Sequence, residues 1–372
     1  MKRTGEAYLP LHNGYVPKWL YNKMVKLGGL IIKHIIEEFG TKELLKRLGD
    51  PVWFQALGCV VGFDYHSSGL TTVVTAALKD AVSRGDYGLF IAGGKGRLSR
   101  RTPEEVLRIC RFKRLDIDSL KLVRVSRLVA KVDNSLLLDG YNLYHHALFF
   151  DVNGDWTVIQ QGMNVEYRYA RRYHWTSFTT KNFIVEPHSG LIGDYKHNFV
   201  IDLTSRRSEE SRRVIIDILR EKNRVKRDLI RLKDLTRGEL DKWITRDEGI
   251  ELDNVKLLYM PRTLNWKAIR KAYEIQPKNY EELLEIEGIG PTTFRALALI
   301  AEIIYGTKTS KQDPIRYTFA VGSKDGVPYF VDRQVYDEVI SFYEYLLDRV
   351  RVDRRRELIR RLSSFLPKVI RV

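Results

Sequence analysis

The sequence predicts an α+β N-terminal domain, with helices and a small β-sheet that includes a hairpin, followed by an α-helical C-terminal domain. Two observations predict this class. Helical and strand-like apolar patterns alternate as far as about residue 205, and beyond it the composition is that of charged helix, without glycine or proline until Gly238. We therefore expect a catalytic α+β domain at residues 1–205, a basic helical linker at 206–255 and a helical nucleic-acid-binding domain at 256–372.

The first predicted elements are helices. From Pro17 to Phe39 apolar residues recur at close to 3.6-residue spacing, and proline suits a first helical turn because its missing N–H would be unpaired there anyway. The patterns predict helices over 17–39 and 41–48, an apolar stretch over 51–62, a polar loop over 63–69 and a helix over 70–83.

Strands are predicted in the middle of the first domain. Asn153-Gly154 is a strong hairpin signal because both residues tolerate the positive φ angles of a tight turn. Thr102-Pro103-Glu104-Glu105 predicts a capping box at a helix start. The predicted elements are strands at 87–92, 147–152 and 156–159, a helix at 119–137, and two further short strands at 182–186 and 198–203.

The charge of the chain favours a polyanionic partner. Its 372 residues include 63 Lys and Arg against 47 Asp and Glu, which gives a formal net charge of +16. Two stretches carry most of the excess, with 11 basic and 5 acidic residues over 206–233 and 9 basic and 3 acidic residues over 348–372. This clustering predicts nucleic-acid contact more strongly than a solvated surface, with DNA favoured over RNA only by the motif described below.

Other features limit the class of protein. No apolar run reaches the roughly 18 residues of a membrane span, and the first residues lack the apolar core of a signal peptide. Cys59 and Cys110, the two cysteines, lie far apart in apolar surroundings, so neither a disulfide framework nor a Cys-ligated zinc is expected. We expect a cytoplasmic protein with no membrane partner.

Residues 279–305 carry the clearest motif. Asn279, with Glu282 three residues later, predicts a capped helix, and Gly288-Ile289-Gly290-Pro291 separates it from a second apolar helix. The pattern resembles the helix–hairpin–helix DNA-binding element, in which amides at the second helix's N-terminus face a phosphate oxygen. An ordinary helix pair joined by a glycine turn is the alternative. The expected nucleic-acid contacts here are Gly288, Ile289, Gly290, Thr292, Thr293 and Arg295.

Some proteins with this element are base-excision glycosylases, in which a Lys two residues after the second hairpin glycine is the nucleophile. Thr292 occupies that position here, which argues against a Schiff-base glycosylase. Val331-Asp332-Arg333-Gln334-Val335 resembles the setting of the catalytic Asp in such enzymes, but its separation from Thr292 is longer than their pattern. A helix-capping or strand-end role for Asp332 is favoured, and a glycosylase that activates water through Asp332 or Asp139 is the weaker alternative.

The first domain carries candidate catalytic residues in loops and at strand ends. A metal-dependent nuclease holds Mg²⁺ or Mn²⁺ with carboxylates and places a Lys or His nearby. If the segment around His145 is a strand, His145 and His146 point to opposite faces and cannot chelate one ion. The hairpin ends in Gln160-Gln161-Gly162 rather than the Glu-x-Lys of a restriction-type nuclease, so helix capping and buried hydrogen bonding are alternative roles. The candidates are Asp133, Asp139 and Glu166 as metal ligands and catalytic carboxylates, with Lys131, His145 and His66 beside them.

Further cations are expected to contact nucleic acid. Lys95 lies in Gly93-Gly94-Lys95-Gly96, which lacks the spacing of a nucleotide-binding P-loop but can turn amides towards a phosphate. Aromatic residues and arginines alternate over 167–175, which suits stacking on bases and pairing with phosphates, and core packing of the aromatics is an equal alternative. The candidates are Lys95, Arg168, Arg171, Arg172, Arg354, Arg355 and Arg356.

Several segments together resemble one known family, the archaeal and bacterial family called domain of unknown function 763. The resemblance extends over nearly the whole chain and implies a DNA-binding-like hairpin, but little more about function. Thr292 departs from it, because Lys is often expected there. The segments are Arg3-Thr4-Gly5, Leu9-Pro10-Leu11-His12, Trp53-Phe54-Gln55-Ala56-Leu57-Gly58-Cys59, Asp64-Tyr65-His66-Ser67-Ser68-Gly69, Gly93-Gly94-Lys95-Gly96, Asp133-Asn134, Tyr144-His145-His146, Gln160-Gln161-Gly162-Met163-Asn164, Tyr169-Ala170-Arg171-Arg172-Tyr173-His174-Trp175, Glu186-Pro187-His188, the Gly-Ile-Gly hairpin and Ala298-Leu299-Ile300.

The sequence therefore favours a DNA-processing enzyme, a metal-dependent nuclease of repair or recombination. In this hypothesis the C-terminal domain holds duplex DNA through the hairpin and the basic residues of 354–361, and the first domain carries the reactive centre. A glycosylase without a Lys nucleophile and a non-catalytic DNA-binding protein are the two alternatives.

Overall fold

A computed structural model of the chain describes residues 3–6, 16–63, 68–166, 168–193, 196–235 and 264–315. The chain divides into two compact units, residues 1–317 and 318–372, and all the described residues belong to the first. The predicted domain limits at 205 and 255 stay predictions. So does the all-helical character of the C-terminal domain, because residues 316–372 lie outside the described part.

A six-stranded sheet forms the centre of the first unit. The strands are β1 (Arg3–Glu6), β2 (Leu89–Lys95), β3 (Leu137–Leu138), β4 (Asn142–Asp151), β5 (Trp156–Asn164), β6 (Tyr169–Thr176), β7 (Gly190–Gly193) and β8 (Ile201–Asp202). The strand order is β1-β7-β6-β5-β4-β2, in which β1 runs parallel to β7 and the other neighbours are antiparallel. β3 and β8 form a separate antiparallel pair.

Helices cover both faces of the sheet, so the predicted mixture of helices and sheet is confirmed. They are α1 (Lys18–Leu48), α2 (Pro51–Val60), α3 (Gly69–Ser83), α4 (Arg97–Arg100), α5 (Thr102–Lys113), α6 (Ser119–Ser135), α7 (Glu209–Arg220), α8 (Arg224–Leu235), α9 (Trp266–Ile275), α10 (Tyr280–Glu285) and α11 (Pro291–Ile303). α1, α2 and α3 pack on one face, and the other face carries α5 and α6, with α7 to α11 in the same core.

Strand alternation divides the interior into two cores. Phe149 and Phe150 are both fully buried, yet Phe149 packs in the core of α1–α3 whereas Phe150 packs in the core of α6. Successive side chains of a strand point to opposite faces, so β4 supplies both cores at once. Burying one such ring contributes about 1.5–3 kcal/mol.

The same alternation separates the two adjacent histidines of β4, as the sequence predicts. His145 Nε2 lies 3.1 Å from Thr75 Oγ1 on α3, whereas His146 Nε2 lies 2.9 Å from Ser126 Oγ on α6. The two rings therefore belong to different cores and share no ligand.

Local turn chemistry confirms several predicted boundaries. α1 has a break at Gly40, whose φ of 83° lies in the left-handed region that glycine adopts without strain. The predicted hairpin joins β4 to β5, and the Asp151 carboxylate accepts bonds from the N–H groups of Asn153 and Asp155 at 2.9 and 3.0 Å. The first half of the fold thus begins and ends its elements close to the predicted residues.

Three local predictions are wrong. Thr102 does not form a capping box with Glu105, because its hydroxyl donates to the carbonyl of Ser99 and the Glu105 carboxylate accepts from Gly93 N–H and Lys79. Residues 182–186 form no strand, since Asn182 Oδ1 accepts from two following N–H groups in a turn. Of the strand predicted over 198–203, only β8 forms.

The basic stretch after residue 205 packs against the fold as far as it is described. It begins with a single turn of 3₁₀ helix, Arg206–Ser208, and continues as α7 and α8. Ile215, Ile218 and Leu219 of α7 lie in the core beside α6. Among the described helices of the chain, none is long and apolar enough to cross a membrane.

The burial of His146 predicts a pH dependence of stability. Burial lowers the pKa of His146 to about 4, below the roughly 6.5 of an unfolded chain. Its contribution is therefore complete above pH 6.5 and is lost as the pH falls towards 4, by about 2 kcal/mol at pH 5. When the pH is lowered from 7 to 5, the unfolding free energy of the His146→Gln variant should fall by about 2 kcal/mol less than that of the wild type. Urea denaturation at the two pH values measures this difference.

The control for this experiment is His34→Gln, because His34 is exposed on α1. This variant measures the effect of replacing a solvent-exposed histidine with glutamine. An unchanged pH dependence in His146→Gln would contradict the assignment of a neutral buried ring.

Candidate functional site

A cavity of about 970 Å³ opens beside β7 and β8. Lys196, Arg206 and Arg207 are exposed where it meets solvent, whereas the polar groups deeper in it are buried. Arg206 pairs with Glu186 of the same lining at 3.5 Å, so three cations and one carboxylate lie here, and their net positive charge attracts an anionic ligand. The lining residues are Glu186, His188, Leu191, Lys196, His197, Asn198, Asp202, Thr204, Ser205, Arg206, Arg207, Ser310, Gln312, Asp313 and Pro314.

His188 lies in this cavity and is held by a buried carboxylate. Its Nε2 donates to Asp133 Oδ1 at 2.5 Å, and Asp133 at the end of α6 is fully buried. The other carboxylate oxygen accepts the indole N–H of Trp175 at 2.9 Å and an amide N–H of Gln160. Burial raises the pKa of Asp133, and these donors together with His188 oppose that rise because they stabilise the charged form.

The hydrogen bond to Asp133 determines which nitrogen of His188 is available. With its proton on Nε2, the neutral ring has its lone pair on Nδ1, and no described residue donates to that atom. The ring is also fixed in angle by Trp175, whose ring centre lies 4.7 Å away in an edge-on arrangement. A carboxylate that orients an imidazole in this way makes the ring's second nitrogen a competent base.

Gln160 connects Asp133 to His146. Its amide nitrogen donates to Asp133 and to the carbonyl of Val129, which leaves its oxygen to accept from His146 Nδ1 at 2.7 Å. His146 Nε2 then accepts from Ser126 Oγ. In this series of hydrogen bonds the donor and acceptor roles of each group follow from those of its neighbour. The roles of Gln160, His146 and Ser126 behind His188 are therefore all determined.

Asp139, a predicted catalytic residue, is part of a buried ion triad. Arg171 lies between two carboxylates, 2.7 Å from Asp139 and 2.6 Å from Asp313, with all three side chains inaccessible to solvent. Burial, together with the charge of Asp313, raises the pKa of Asp139 to about 6. Because Asp313 lines the cavity, the triad supports its wall, but neither Arg171 nor Asp139 reaches the ligand space.

The three predicted metal ligands do not form one ligand set. N–H donors occupy the oxygens of Asp133 and Asp139, and Glu166 lies in an exposed turn after β5. Among the described residues, no group of three or more His, Cys, Asp or Glu is placed to hold a metal ion. These carboxylates therefore do not fit the predicted site, and a metal requirement rests on the sequence argument alone.

Two other predicted residues lie on the opposite face of the sheet. His145 is fully buried against α3, and burial lowers its pKa to about 3. Arg172 is fully buried too, with Gln55 Oε1 at 2.8 Å and the Phe54 ring beneath its guanidinium. No described carboxylate pairs with Arg172, and burial lowers its pKa to about 9. Neither side chain faces the cavity of His188.

The remaining predicted contacts are dispersed. Lys95 is exposed at the end of β2, and Arg168 is exposed in the turn between β5 and β6. His66 and the arginines at 354–356 lie outside the described residues. The structure thus separates the predicted set into a buried group, an exposed group and the helix pair described next.

α10 and α11 form a pair joined by a five-residue turn, 286–290. As predicted, Asn279 Oδ1 accepts the N–H of Glu282 at the start of α10. Gly288 has a φ of 86°, and a Cβ there would lie 2.5 Å from Asn265 Nδ2 and 3.0 Å from the Cβ of Ala268. Only glycine meets both the backbone conformation and the close approach of α9.

The fold does not require glycine in the same way at Gly290, the second glycine of the turn. Gly290 is extended, and a Cβ on it would have no neighbour within 4 Å. It is the N-cap of α11, where no side chain caps the helix, and Thr292 in the first turn is exposed. Pro291 has no N–H and the N–H of Thr293 donates to the Gly290 carbonyl at 3.0 Å, so the N–H groups of Gly290 and Thr292 are those left without an acceptor among the described residues. Ile289 and Thr293 are buried, and Arg295 is partly buried with its pKa lowered by burial. An open, uncapped helix N-terminus suits an anion.

Lys131, a predicted catalytic residue, holds this helix pair against α6. Its ammonium donates to the carbonyl of Leu284 and, at 3.1 Å, to the carbonyl of Ile286, which lie at the C-terminus of α10. Arg124, two turns earlier on α6, pairs with Glu281 at 3.0 Å and with Glu285 at 2.5 Å. α6 therefore carries both Asp133 and the contacts that fix the helix pair.

Sequence reasoning did not select the residues that meet in the cavity. His188 appears in Glu186-Pro187-His188, one of the segments that resemble the known family, and this was the available signal for it. Asp202 and Asp313 carry no local signal, because their relation to His188 depends on how β7, β8 and the segment after α11 assemble. The exposed Arg206 and Arg207 belong to a basic stretch that the sequence does mark.

The contacts of Lys131 predict a structural role. We expect Lys131→Met to lower the free energy of unfolding by about 1–3 kcal/mol, because two carbonyl groups lose a charged donor. Urea denaturation measures it. Lys121→Met, at an exposed position of the same helix, is the matched control and should change stability by less than about 0.5 kcal/mol. Equal stability of the two variants would contradict the structural role of Lys131.

Comparison with known proteins assigns the family and no activity. No curated protein and no solved structure matches the chain. A family profile does match, over residues 5–331, which is most of the chain. This extent confirms the resemblance noted in the sequence, and the chain belongs to the family described as protein of unknown function (DUF763).

Proposed function

We propose that this protein binds DNA and hydrolyses phosphodiester bonds, with its reactive centre in the cavity of His188. One observation carries the proposal: His188 is oriented by the buried Asp133 at the inner side of a cavity whose opening has exposed cations. A base and a group of cations are what hydrolysis of a negatively charged ester requires.

The chemistry follows from the residues that line the cavity. His188 Nδ1 takes a proton from water, the water oxygen bonds to phosphorus, and the bond from phosphorus to the departing sugar oxygen breaks. The protonated ring then returns its proton to that oxygen. Asp133 stabilises the imidazolium that forms in between, and Lys196, Arg206 and Arg207 neutralise the charge of the phosphate.

The helix pair supports DNA as the substrate. Its turn presents the N–H groups of Gly290 and Thr292, and the open space beside Gly290 permits close approach of a phosphate; such contacts hold a duplex without selecting its sequence. In this proposal α10 and α11 act as a helix–hairpin–helix. The formal charge of +16 adds long-range attraction to a nucleic acid.

A requirement for Mg²⁺ or Mn²⁺ remains part of the sequence prediction. Activity that chelation abolishes would support a metal-dependent nuclease, and activity that survives chelation would leave His188 as the sole base. Metal-independent, alkali-revealed breaks in damaged DNA would instead support the glycosylase alternative. Binding without any product would support a non-catalytic DNA-binding protein.

The first test is His188→Ala on labelled single-stranded, duplex and branched DNA, with Mn²⁺ or with EDTA, resolved on denaturing gels. We expect cleavage to fall by about 10²- to 10⁴-fold, the usual contribution of a general base, with DNA affinity retained. Added imidazole should restore part of the activity, since the emptied ring position adjoins the cavity. His34→Gln, at an exposed position, should cleave as the wild type does. Full activity of His188→Ala would overturn the proposed centre.

The second test is Gly290→Ala. The added methyl group has open space and an extended backbone, so the unfolding free energy should fall by no more than about 1 kcal/mol, the usual cost of alanine at an N-cap. If the N–H groups at the start of α11 bind a phosphate, the added methyl group would lie between those N–H groups and the phosphate. It should then weaken duplex binding about tenfold. Fluorescence anisotropy measures the affinity. Wild-type affinity in this stable variant would remove the helix pair from the DNA-binding surface.

A further inference from the structure

We infer that α9 forms a second contact with the duplex backbone, next to the turn of the helix pair, through Lys267, Arg270 and Lys271. The inference rests on the proposed DNA binding and adds a surface to it. None of these three residues belongs to the turn or to the cavity of His188.

The start of α9 lies directly against the turn. Asn265, which caps α9 by accepting the N–H of Ala268, also donates to the carbonyl of Gly288 at 3.4 Å. The missing side chain of Gly288 is what lets Ala268 approach it. The first two turns of α9 are therefore fixed against the turn that leads to Gly290 and the exposed Thr292.

The exposed side of α9 carries three basic residues over those turns, together with the exposed Trp266. Ala268, Ile269 and Ala272 face the core, and the intervening Lys267, Arg270 and Lys271 are all exposed. No acidic residue occurs in α9 before Glu274. With about 100° between successive residues, Lys267 and Lys271 lie about 60–100° from Ala268, on one flank, and Arg270 lies on the outer side between that flank and solvent.

Within the part of the chain that the structure describes, these cations also lack acidic partners. No described carboxylate forms an ion pair with Lys267, Arg270 or Lys271. Other charged residues of the described chain are paired, as Arg124 is with Glu281 and Lys311 is with Glu302. An unpaired basic face that continues an open helix N-terminus is complementary to the regularly spaced phosphates of a duplex. The occupant we assign is the backbone of duplex DNA.

The test compares two triple variants of the full chain by fluorescence anisotropy, with a short blunt DNA duplex, over a range of KCl concentrations in EDTA. One variant is Lys267→Ala/Arg270→Ala/Lys271→Ala. The other is Lys18→Ala/Lys23→Ala/Lys26→Ala, which removes the same charge from exposed positions of α1, in the layer on the other face of the sheet. Equal loss of net charge leaves position as the difference between them.

We expect the α9 variant to bind about 10- to 100-fold more weakly and to lower the slope of log affinity against log salt by about 2–3, because each phosphate contact contributes about 0.9 to that slope. The α1 variant should keep the wild-type slope. The inference would be overturned if DNA binding weakened equally in both variants, or if the α9 variant bound DNA as tightly as the wild type. Wild-type binding that favours an RNA duplex over the DNA duplex would overturn the assigned occupant.

Parallel measurements on Gly290→Ala separate this inference from the proposed function. Weak binding by Gly290→Ala with normal binding by the α9 variant would refute the α9 surface and keep the helix pair. Absence of DNA binding by the wild type would refute both.

Discussion

The carboxylate of Asp133 is the group on which the arrangement of the cavity depends. A carboxylate removed from water costs several kcal/mol unless donors replace its hydration. Three donors do so here, from β5, β6 and the segment before β7: the amide of Gln160, the indole of Trp175 and the imidazole of His188. Because each comes from a different part of the sheet, satisfying one carboxylate fixes α6 against all three. The same bonds orient the His188 ring, so the stability of this core and the direction of the available nitrogen have a common cause.

Short-range sequence patterns were sufficient to predict many of the helices and strands. They were insufficient to predict which side chains from distant parts of the sequence come into contact. Period-two alternation correctly separated His145 from His146, and Asn153-Gly154 correctly located the hairpin. Asp133 and His188 are 55 residues apart, and Arg171 and Asp313 are 142 apart. No periodicity relates such positions, since the packing of α6 and the pairing of β6 with β7 decide which groups meet. Tertiary contacts also explain why the predicted capping box does not form, because the Gly93 N–H and the Lys79 ammonium donate to the Glu105 carboxylate.

The adjacent arginines of β6 illustrate the same limit. Consecutive strand residues face opposite sides, so Arg171 and Arg172 must enter different cores, and each core has to accommodate a guanidinium. Asp139 and Asp313 compensate the first, whereas the second has Gln55, Thr71 and the face of Phe54. An arginine among aromatic residues has the same local sequence whether its counter-charge is an internal carboxylate or an external phosphate. This ambiguity is why both were predicted to contact nucleic acid.

α6 joins the proposed binding surface to the proposed reactive centre. Arg124 and Lys131 fix the helix pair near the middle and end of a helix about 25 Å long, and Asp133 follows Lys131 by two residues. A duplex held by the turn would thus be positioned relative to the cavity by one rigid element, and hydrolysis depends on such fixed geometry. The two glycines of the turn divide the roles. Gly288 is required by the backbone and by the approach of α9, so its replacement tests folding. Gly290 has open space beside it and serves the fold only as the N-cap of α11, so a loss of DNA binding larger than its small effect on stability would arise at the ligand.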